Sequence, residues 1–388
     1  MPEIDDQALL DFTRRLLRVR SVHEPETGGS EQAVAAIVVE QMRAFGWEPL
    51  VEEAAAGRPN VIATLDGGRP GPTLLFEGHV DVVTEGDRDA WSHDPYGAEV
   101  VDGKLYARGA ADMKGGVAAM LFAADLLARE GFAGRIVVGA LVDEEGMMLG
   151  VRDFCRRGHA AGLDAALICE PEGYEVCVAQ KGALRLRAEV PGRMAHGAMP
   201  QHGKDPIPPL ADWVRAVGDT QAAVQRERGE HRHLGWDYLT PTWLEAGSEV
   251  QFNVIPGLAS AGIDVRTTPG LDHGALVERL RRALPPGATL HVIDDRPATE
   301  TPDDHPLARA ALAAHQEVLG RPSRLGGVPG ATDGTILVKD AGVPIVTCGP
   351  GGKWIAHQVD EYVEVAELLA YGRIFADTAR RYLAGPER

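Results

Sequence analysis

His79, Asp112, Glu145, Glu170 and His357 are residue types that bind divalent metal ions, and each falls where a buried strand or a glycine-rich turn is expected to end. Thr73-Leu-Leu-Phe-Glu-Gly-His79-Val-Asp81 is apolar until it breaks into polar residues. Arg135-Ile-Val-Val-Gly-Ala-Leu-Val-Asp143-Glu144-Glu145 and Asp164-Ala-Ala-Leu-Ile-Cys-Glu170 do the same. Buried parallel strands gather ligands outside their carboxyl ends, so the three tips are expected to converge on one site. Imidazole nitrogens and carboxylate oxygens in this number suit two zinc ions. A pair about 3.5–4 Å apart can clamp both an attacking water and a substrate oxygen. The chemistry indicated is metal-assisted hydrolysis.

Such a pair needs a bridging carboxylate. Asp112 suits that place, because its short side chain lies in the tight turn Arg108-Gly-Ala-Ala-Asp112-Met-Lys-Gly-Gly116 just before a helix. His79 with Glu170, and Glu145 with His357, complete the two sets. Four positive charges are then balanced by three carboxylates and a hydroxide, which allows the centre to sit in a low-dielectric cleft. Glu144 is left over to act as a base, since neighbouring residues at a strand end point in different directions. Asp81 is placed to accept the second N–H of the His79 imidazole and orient it.

These residues need an α/β frame. Residues 5–19 and 30–45 are read as amphipathic helices, and 47–52, 60–65 and 73–78 as strands. A long loop then leads to a helix over about 114–129. The alternation of strand and helix through residue 170 indicates a mixed, mostly parallel sheet flanked by helices. The texture changes near Gln180. Strands at 184–190, 259–266 and 288–293 and helices at 206–217 and 272–284 suggest an inserted α+β domain with one solvated sheet face. The expected division is 1–179 with 298–388 as a discontinuous catalytic domain, and 180–297 as the insert. Residues 297–306 serve as the return linker, followed by a helix to about 319, the turn Gly326–Gly334 and a strand at 344–348.

The chain of 388 residues carries a formal charge of -18 without a run of basic residues, which disfavours nucleic acid and anionic membranes as partners. A small-molecule substrate fits better. No apolar run reaches the roughly 18–20 residues needed to span a bilayer. Cys155, Cys169, Cys177 and Cys348 lack CxxC spacing, and the acidic amino terminus lacks the features of a signal peptide. A reduced, cytoplasmic setting is expected. Paired arginines at 14–15, 156–157, 281–282 and 380–381 read as solvated helix faces. His231-Arg-His233 has ligand-like spacing but lies in a charged, surface-like segment, and is set aside.

Gly78-His79-Val-Asp81, Arg108-Gly-Ala-Ala-Asp112-Met-Lys-Gly-Gly116, Asp143-Glu144-Glu145, Cys169-Glu170-Pro171 and Ala356-His357 resemble, in order and over essentially the whole chain, the motifs of the zinc aminoacylase and carboxypeptidase family. That family includes acetylornithine deacetylase, succinyl-diaminopimelate desuccinylase and glutamate carboxypeptidase. The resemblance implies Asp112 as bridge, His79 and Glu170 on one metal, Glu145 and His357 on the other, and Glu144 as general base. It also implies a cis peptide between Asp112 and Met113, and a lid and dimerisation domain in the insert. There His196 would help hold the tetrahedral oxyanion, and Asn253 and Arg266 would bind a substrate carboxylate. Two Zn²⁺ are implied, with Co²⁺ able to substitute, and a homodimer formed through the lid domain. The expected reaction is hydrolysis of an N-acyl amino acid or related small carboxylate. A carboxypeptidase or dipeptidase using the same centre is the alternative, and a non-catalytic dimeric scaffold the more distant one. Two departures stand out. Gly146-Met147-Met148-Leu149-Gly150 replaces the usual small residues after Glu145, placing thioethers near the cleft. Glu172 replaces a small hydroxyl residue, and would either compete electrostatically or contact a cationic substrate.

Overall fold

Arg135–Leu141, Thr73–His79, Ala165–Ile168 and Ile345–Thr347 lie side by side and parallel in the computed structural model, which describes residues 2–24 and 30–385. They form the centre of a nine-stranded sheet. Leu50–Ala55 and Arg58–Asp66 extend it antiparallel on one side, and Glu175–Gln180 and Thr299–Glu300 continue it on the other, where Arg324–Val328 also pairs with Glu175–Gln180. The central strands are apolar on both faces because helices cover both, as their nearly unbroken burial shows.

The helix Lys114–Glu130 lies innermost, packed against Thr73–His79 and against the helices Asp6–Leu17 and Val365–Leu383. Its small residues permit the close approach. A Cβ on Gly116 would stand 2.1 Å from the carbonyl oxygen of Cys169, so only glycine fits there. The tip that carries Glu170 can therefore approach the turn that carries Asp112.

The chain separates into two compact units: Met1–Val178, Glu300–Gly326 and Thr332–Arg388 form one, Ala179–Thr299 and Gly327–Ala331 the other. The second has a four-stranded antiparallel sheet in the order Tyr238–Ala246, Leu258–Thr267, Gly182–Pro191, Thr289–Arg296. Leu184, Leu186, Ala188 and Val190 alternate inward and pack with Trp213 and Leu280, whose helices are Ile207–Arg228 and His273–Arg282. Arg185 and Arg187 point to the solvated side.

The helix expected over 206–217 runs on to Arg228, and ends at Gly229 in a positive-φ conformation. The strand Tyr238–Ala246 was not expected, because Pro241 breaks the pattern. It lies at a sheet edge, where a missing N–H is tolerated, and its register shifts between Pro241 and Trp243. The loop expected between residues 79 and 107 contains Glu99–Val101 and Lys104–Tyr106, which join Tyr362–Glu364 in a small sheet. The linker segment contributes Thr299–Glu300 to the large sheet. The paired arginines lie on helices, where Arg156 and Arg157 meet Asp153, Arg281 meets Glu278, and Arg380 and Arg381 meet Asp377. Among the described residues no helix is long and apolar enough to cross a membrane.

Candidate metal centre

His79 closes its strand, and Asp112 sits in the following glycine-rich turn, with a cis Asp112–Met113 peptide and Gly109 at φ 84°. The strand Arg135–Leu141 delivers Glu144 and Glu145, Ala165–Ile168 delivers Glu170, and the loop after Ile345–Thr347 delivers His357. All lie at the carboxyl ends of parallel strands, in the first unit.

Asp112 is central. Its Oδ1 is 3.1 Å from His79 Nε2, and its Oδ2 is 3.2 Å from His357 Nε2. Glu170 Oε1 lies 3.5 Å from the same His79 nitrogen, and Glu145 Oε1 lies 2.9 Å from the same His357 nitrogen. The donors thus divide into a His79–Glu170 side and a Glu145–His357 side, with one aspartate oxygen facing each. Atoms of His79, Asp112 and Glu145 come within 4.8 Å of one another, as do those of His79, Glu144 and Glu170. Glu145 thus groups with Asp112 and Glu144 with Glu170, while His79 belongs to both groups.

Asp81 organises this pair. Its carboxylate accepts the backbone N–H of Glu144 at 3.2 Å and of Glu145 at 3.1 Å. It also lies 3.5 Å from His79 Nδ1, whose nearer partner is the Asp81 carbonyl at 3.1 Å. With Nδ1 engaged by these acceptors, Nε2 is the nitrogen turned to the centre.

The donor set fits divalent cations. Asp81, Glu144 and Glu170 are buried, Asp112 and Glu145 are nearly so, and the imidazoles of His79 and His357 face this group of carboxylates. Burial and the neighbouring Glu170 and Glu145 charges push Glu144 well up, and burial with Asp112 raises Glu170 to about 8. Hydrogen bonds to Asp112 and Glu145 raise His357 to about 10. Carboxyls and imidazoles that hold protons this strongly occupy sites where a metal ion would take the place of those protons.

Four further charged residues, not singled out from the sequence, brace the segments around these side chains. Glu361 is fully buried and accepts the N–H of Ala111 at 3.0 Å and of Asp112 at 3.1 Å. It pairs with Arg108, which also donates to the Gln358 carbonyl at 3.1 Å, so one ion pair fixes both the Asp112 turn and the His357 loop. Lys114 is buried and donates to the carbonyls of Leu16 at 3.1 Å and Val19 at 2.8 Å, beside the end of the first helix. Burial holds its ammonium down to about 7. Asp143, at φ 69°, accepts the N–H of Met147 and Leu149 and pairs with Arg58, itself paired with Glu31. For Lys114 and Asp143 the available signal was a charge within a glycine-rich turn or at the end of an apolar strand, whereas Glu361 carried none.

Both departures in the sequence resolve differently from expectation. Met148 is fully buried, in a left-handed conformation, and only Met147 is exposed, at 49%. The thioethers therefore do not act as a pair, because the turn closed by Asp143 sends one of them into the core. Glu172 is buried against Lys353, 2.9 Å away, so its charge already has a cation. His231 and His233 join no cluster of three close metal-type side chains among the described residues. Cys169 and Cys348 are fully buried, and all four cysteines are free thiols.

His196, Asn253 and Arg266 belong to the second unit. The first two are brought together: Ala195–His196 pairs with Val254–Ile255, and Gly197 donates to the Asn253 carbonyl at 2.6 Å. His196 is exposed, and its Nδ1 accepts the Ala198 N–H at 3.0 Å, which leaves the proton of a neutral ring on Nε2. Arg266 lies on Leu258–Thr267 and pairs with Asp264 at 2.9 Å.

These protonation states predict how the metal-free protein responds to pH. Glu170 and Glu77, each raised to about 8, bind protons in the folded state that they release on unfolding between pH 5 and 7. Their contribution therefore falls as pH rises through this window, by about 1.4 kcal/mol per pH unit for each proton. His315, held down to about 4 by burial, and His305, also lowered by burial, act in the opposite sense, but Glu361 and Glu367, each raised to about 7 by burial, add to the fall. The Tm of chelated protein is expected to drop from pH 5 to 7, and the gain on adding Zn²⁺ to be larger at pH 7. A metal-free Tm that rises across this range, with a zinc gain independent of pH, would contradict the assignment.

A family model described as "Peptidase family M20/M25/M40" matches residues 75–381. The succinyl-diaminopimelate desuccinylase of Methylobacterium radiotolerans is 33% identical over 397 residues, covering 97% of each chain. Among solved structures, aminopeptidase PepT from Bacillus cereus superposes with a TM-score of 0.79 at 20% identity, covering 98% of this chain and 99% of its own. A Bacillus subtilis protein described as a dinuclear metal binding peptidase of the M20 family gives 0.73 at 18% identity, covering 98% and 99%. The matched region runs from the strand that ends at His79 to the last helix, and so takes in every one of the five converging donors. Sequence kinship along the whole chain and a shared fold lead to one conclusion: the chain belongs to the M20/M25/M40 peptidase family, and is a metallopeptidase or amidohydrolase of that family.

Proposed function

We propose that this protein hydrolyses the amide bond of an N-acyl amino acid or related small carboxylate, with N-succinyl compounds the first candidates. The observation that carries this reading is the convergence of His79, Asp112, Glu145, Glu170 and His357 beside the buried Glu144. The full-length kinship to a protein named a desuccinylase supports the acyl-amide class.

Asp112 would bridge two divalent ions, Zn²⁺ by preference with Co²⁺ able to replace it. His79 and Glu170 would hold one ion, and Glu145 and His357 the other. Bound there, the ions would lower the pKa of water and polarise the scissile carbonyl. Glu144 takes the proton from the attacking water and passes it to the leaving amine. Asp81 holds the backbone of Glu144 and the His79 ring at a fixed spacing. His196 Nε2–H is the candidate donor to the oxyanion, and Asn253 and Arg266 the candidate holders of the substrate carboxylate. We assign the catalytic part to residues 1–179 and 298–388 and the lid and dimerisation part to 180–297. A homodimer through the second unit is supported by its edge strand Tyr238–Ala246, which exposes Trp243 and Leu244, and by exposed Val250 and Phe252 beyond it. The four free thiols agree with a cytosolic setting.

A carboxypeptidase or dipeptidase using the same centre is the alternative reading. Primary-amine release from N-acetyl, N-succinyl, N-formyl and N-carbamoyl amino acids and from dipeptides, with Zn²⁺- or Co²⁺-loaded protein, separates the two. Release from acyl amino acids that chelation abolishes is the expected result. Cleavage confined to dipeptides would replace the deacylase reading with the peptidase one.

A further inference from the structure

The segment after Glu170 and the loop before His357 are joined by a charged cluster that uses neither of these residues. Lys353 Nζ lies 2.9 Å from Glu172 Oε2 and 2.9 Å from Glu175 Oε2. The Glu172 side chain is 2% exposed, and its Oε2 also accepts the Cys177 thiol at 3.2 Å. Arg324 pairs with the other oxygen of Glu175. The main chain follows the same line: the Gly349 carbonyl accepts the Glu172 N–H at 3.3 Å, and the Gly351 carbonyl accepts the Gly173 N–H at 3.0 Å. Glu172, Glu175 and Cys177 present donor atoms within 4.8 Å of one another, a spacing that could hold a metal ion. The lysine ammonium supplies the positive charge there instead.

We propose that Lys353, clamped between Glu172 and Glu175, is a positioning residue that sets the distance between the Glu170 and His357 segments and so the affinity for the second metal ion. This inference rests on the two-ion centre proposed above. The two sides of that centre are not equally supported. Glu170 follows directly on a buried central strand, whereas His357 has a half-exposed side chain and a left-handed backbone at φ 67°, and lies in an irregular loop. The Lys353 clamp is one of the ties on that loop, with the Arg108–Glu361 pair, the two backbone hydrogen bonds to Gly349 and Gly351, and Asp360, whose Oδ1 accepts the N–H of Ser92 at 2.8 Å and of His93 at 3.2 Å. Taking away the ammonium leaves two carboxylates facing each other in a largely dry place, and their repulsion acts on the junction between the two segments. The ion held by Glu145 and His357 should loosen, while that held by His79 and Glu170 stays.

The test is calorimetric titration of chelated protein with Zn²⁺, and with Co²⁺ followed by its visible absorption, for wild type, Lys353→Met and Lys353→Arg. Wild type should take up two ions. Lys353→Met should bind the first ion normally and the second roughly 10–100-fold more weakly, the range seen when an outer partner of a ligand is lost. Lys353→Arg should recover most of the second affinity. A role confined to overall stability would lower the Tm of Lys353→Met yet leave both affinities unchanged at 15 °C, and that result would overturn the proposal while leaving the two-ion centre standing. A wild type that binds fewer than two ions would instead overturn the centre, and the clamp with it. Should Lys353→Met fail to fold, Glu172→Gln tests the clamp from its other end: it keeps an acceptor for Cys177 but removes one of the two charges that hold Lys353, so it should weaken the second ion and spare the first, and an unchanged second affinity would overturn the proposal.

Discussion

Glu144→Ala is expected to keep both metal ions and lose roughly 10²–10⁴ in kcat, the span typical of a positioned general acid–base. Glu145→Ala, one residue on, is expected to bind a single ion. The difference follows from where the two carboxylates face: Glu145 Oε1 is 2.9 Å from His357 Nε2, whereas Glu144 groups with His79 and Glu170 and is held through its backbone N–H by Asp81. Glu144 is also buried and pushed well above the usual carboxylate range, by burial first and then by Glu170 and Glu145. Bound cations would oppose that upward shift, and a base is most effective when its pKa lies near the working pH. Metal content and single-turnover rates of both variants decide the matter. Equal loss of metal in the two would show that the roles of the pair are wrongly divided.

Asp112→Ala should have the largest effect on the centre. Its two oxygens face the two histidines at 3.1 and 3.2 Å, and no other carboxylate among the described residues has one oxygen paired with each of them. Its removal is expected to weaken the binding of both ions by more than about 100-fold, beyond the range for outer partners of ligands, and to abolish measurable turnover. The turn should survive, since Glu361 still accepts the backbone N–H of residues 111 and 112. Circular dichroism with Co²⁺ titration would separate loss of metal from loss of fold. Retention of two tightly bound ions would show that Asp112 is not shared between them.

Local signals in the chain reached far at this site. Apolar runs that end abruptly in His79, Glu145 and Glu170 reflect central strands buried on both faces, and a strand of that kind can carry polar groups only at its tip. The glycines around Asp112 likewise record close approach, as Gly116 does against Cys169. Edge strands were less legible. Tyr238–Ala246 contains a proline and is exposed over most of its length, so neither propensity nor alternation marks it. The supporting charges were less legible again. Nothing local to Glu361 or Arg108 distinguishes a buried ion pair from two solvated residues, because the partner stands 253 positions away.

By itself, then, the sequence determined the α/β class, the residue types at the strand tips and the family kinship, since each rests on short-range pattern or ordered motifs. Only the tertiary structure decided that Asp112 lies between two histidines, that Glu145 groups with Asp112 and His357 while Glu144 groups with Glu170, that Met148 is in the core and that Glu172 belongs to Lys353. Those outcomes depend on which distant segments share a sheet end. A carboxylate's role is set by the charge it faces across that gap rather than by its neighbours in the chain.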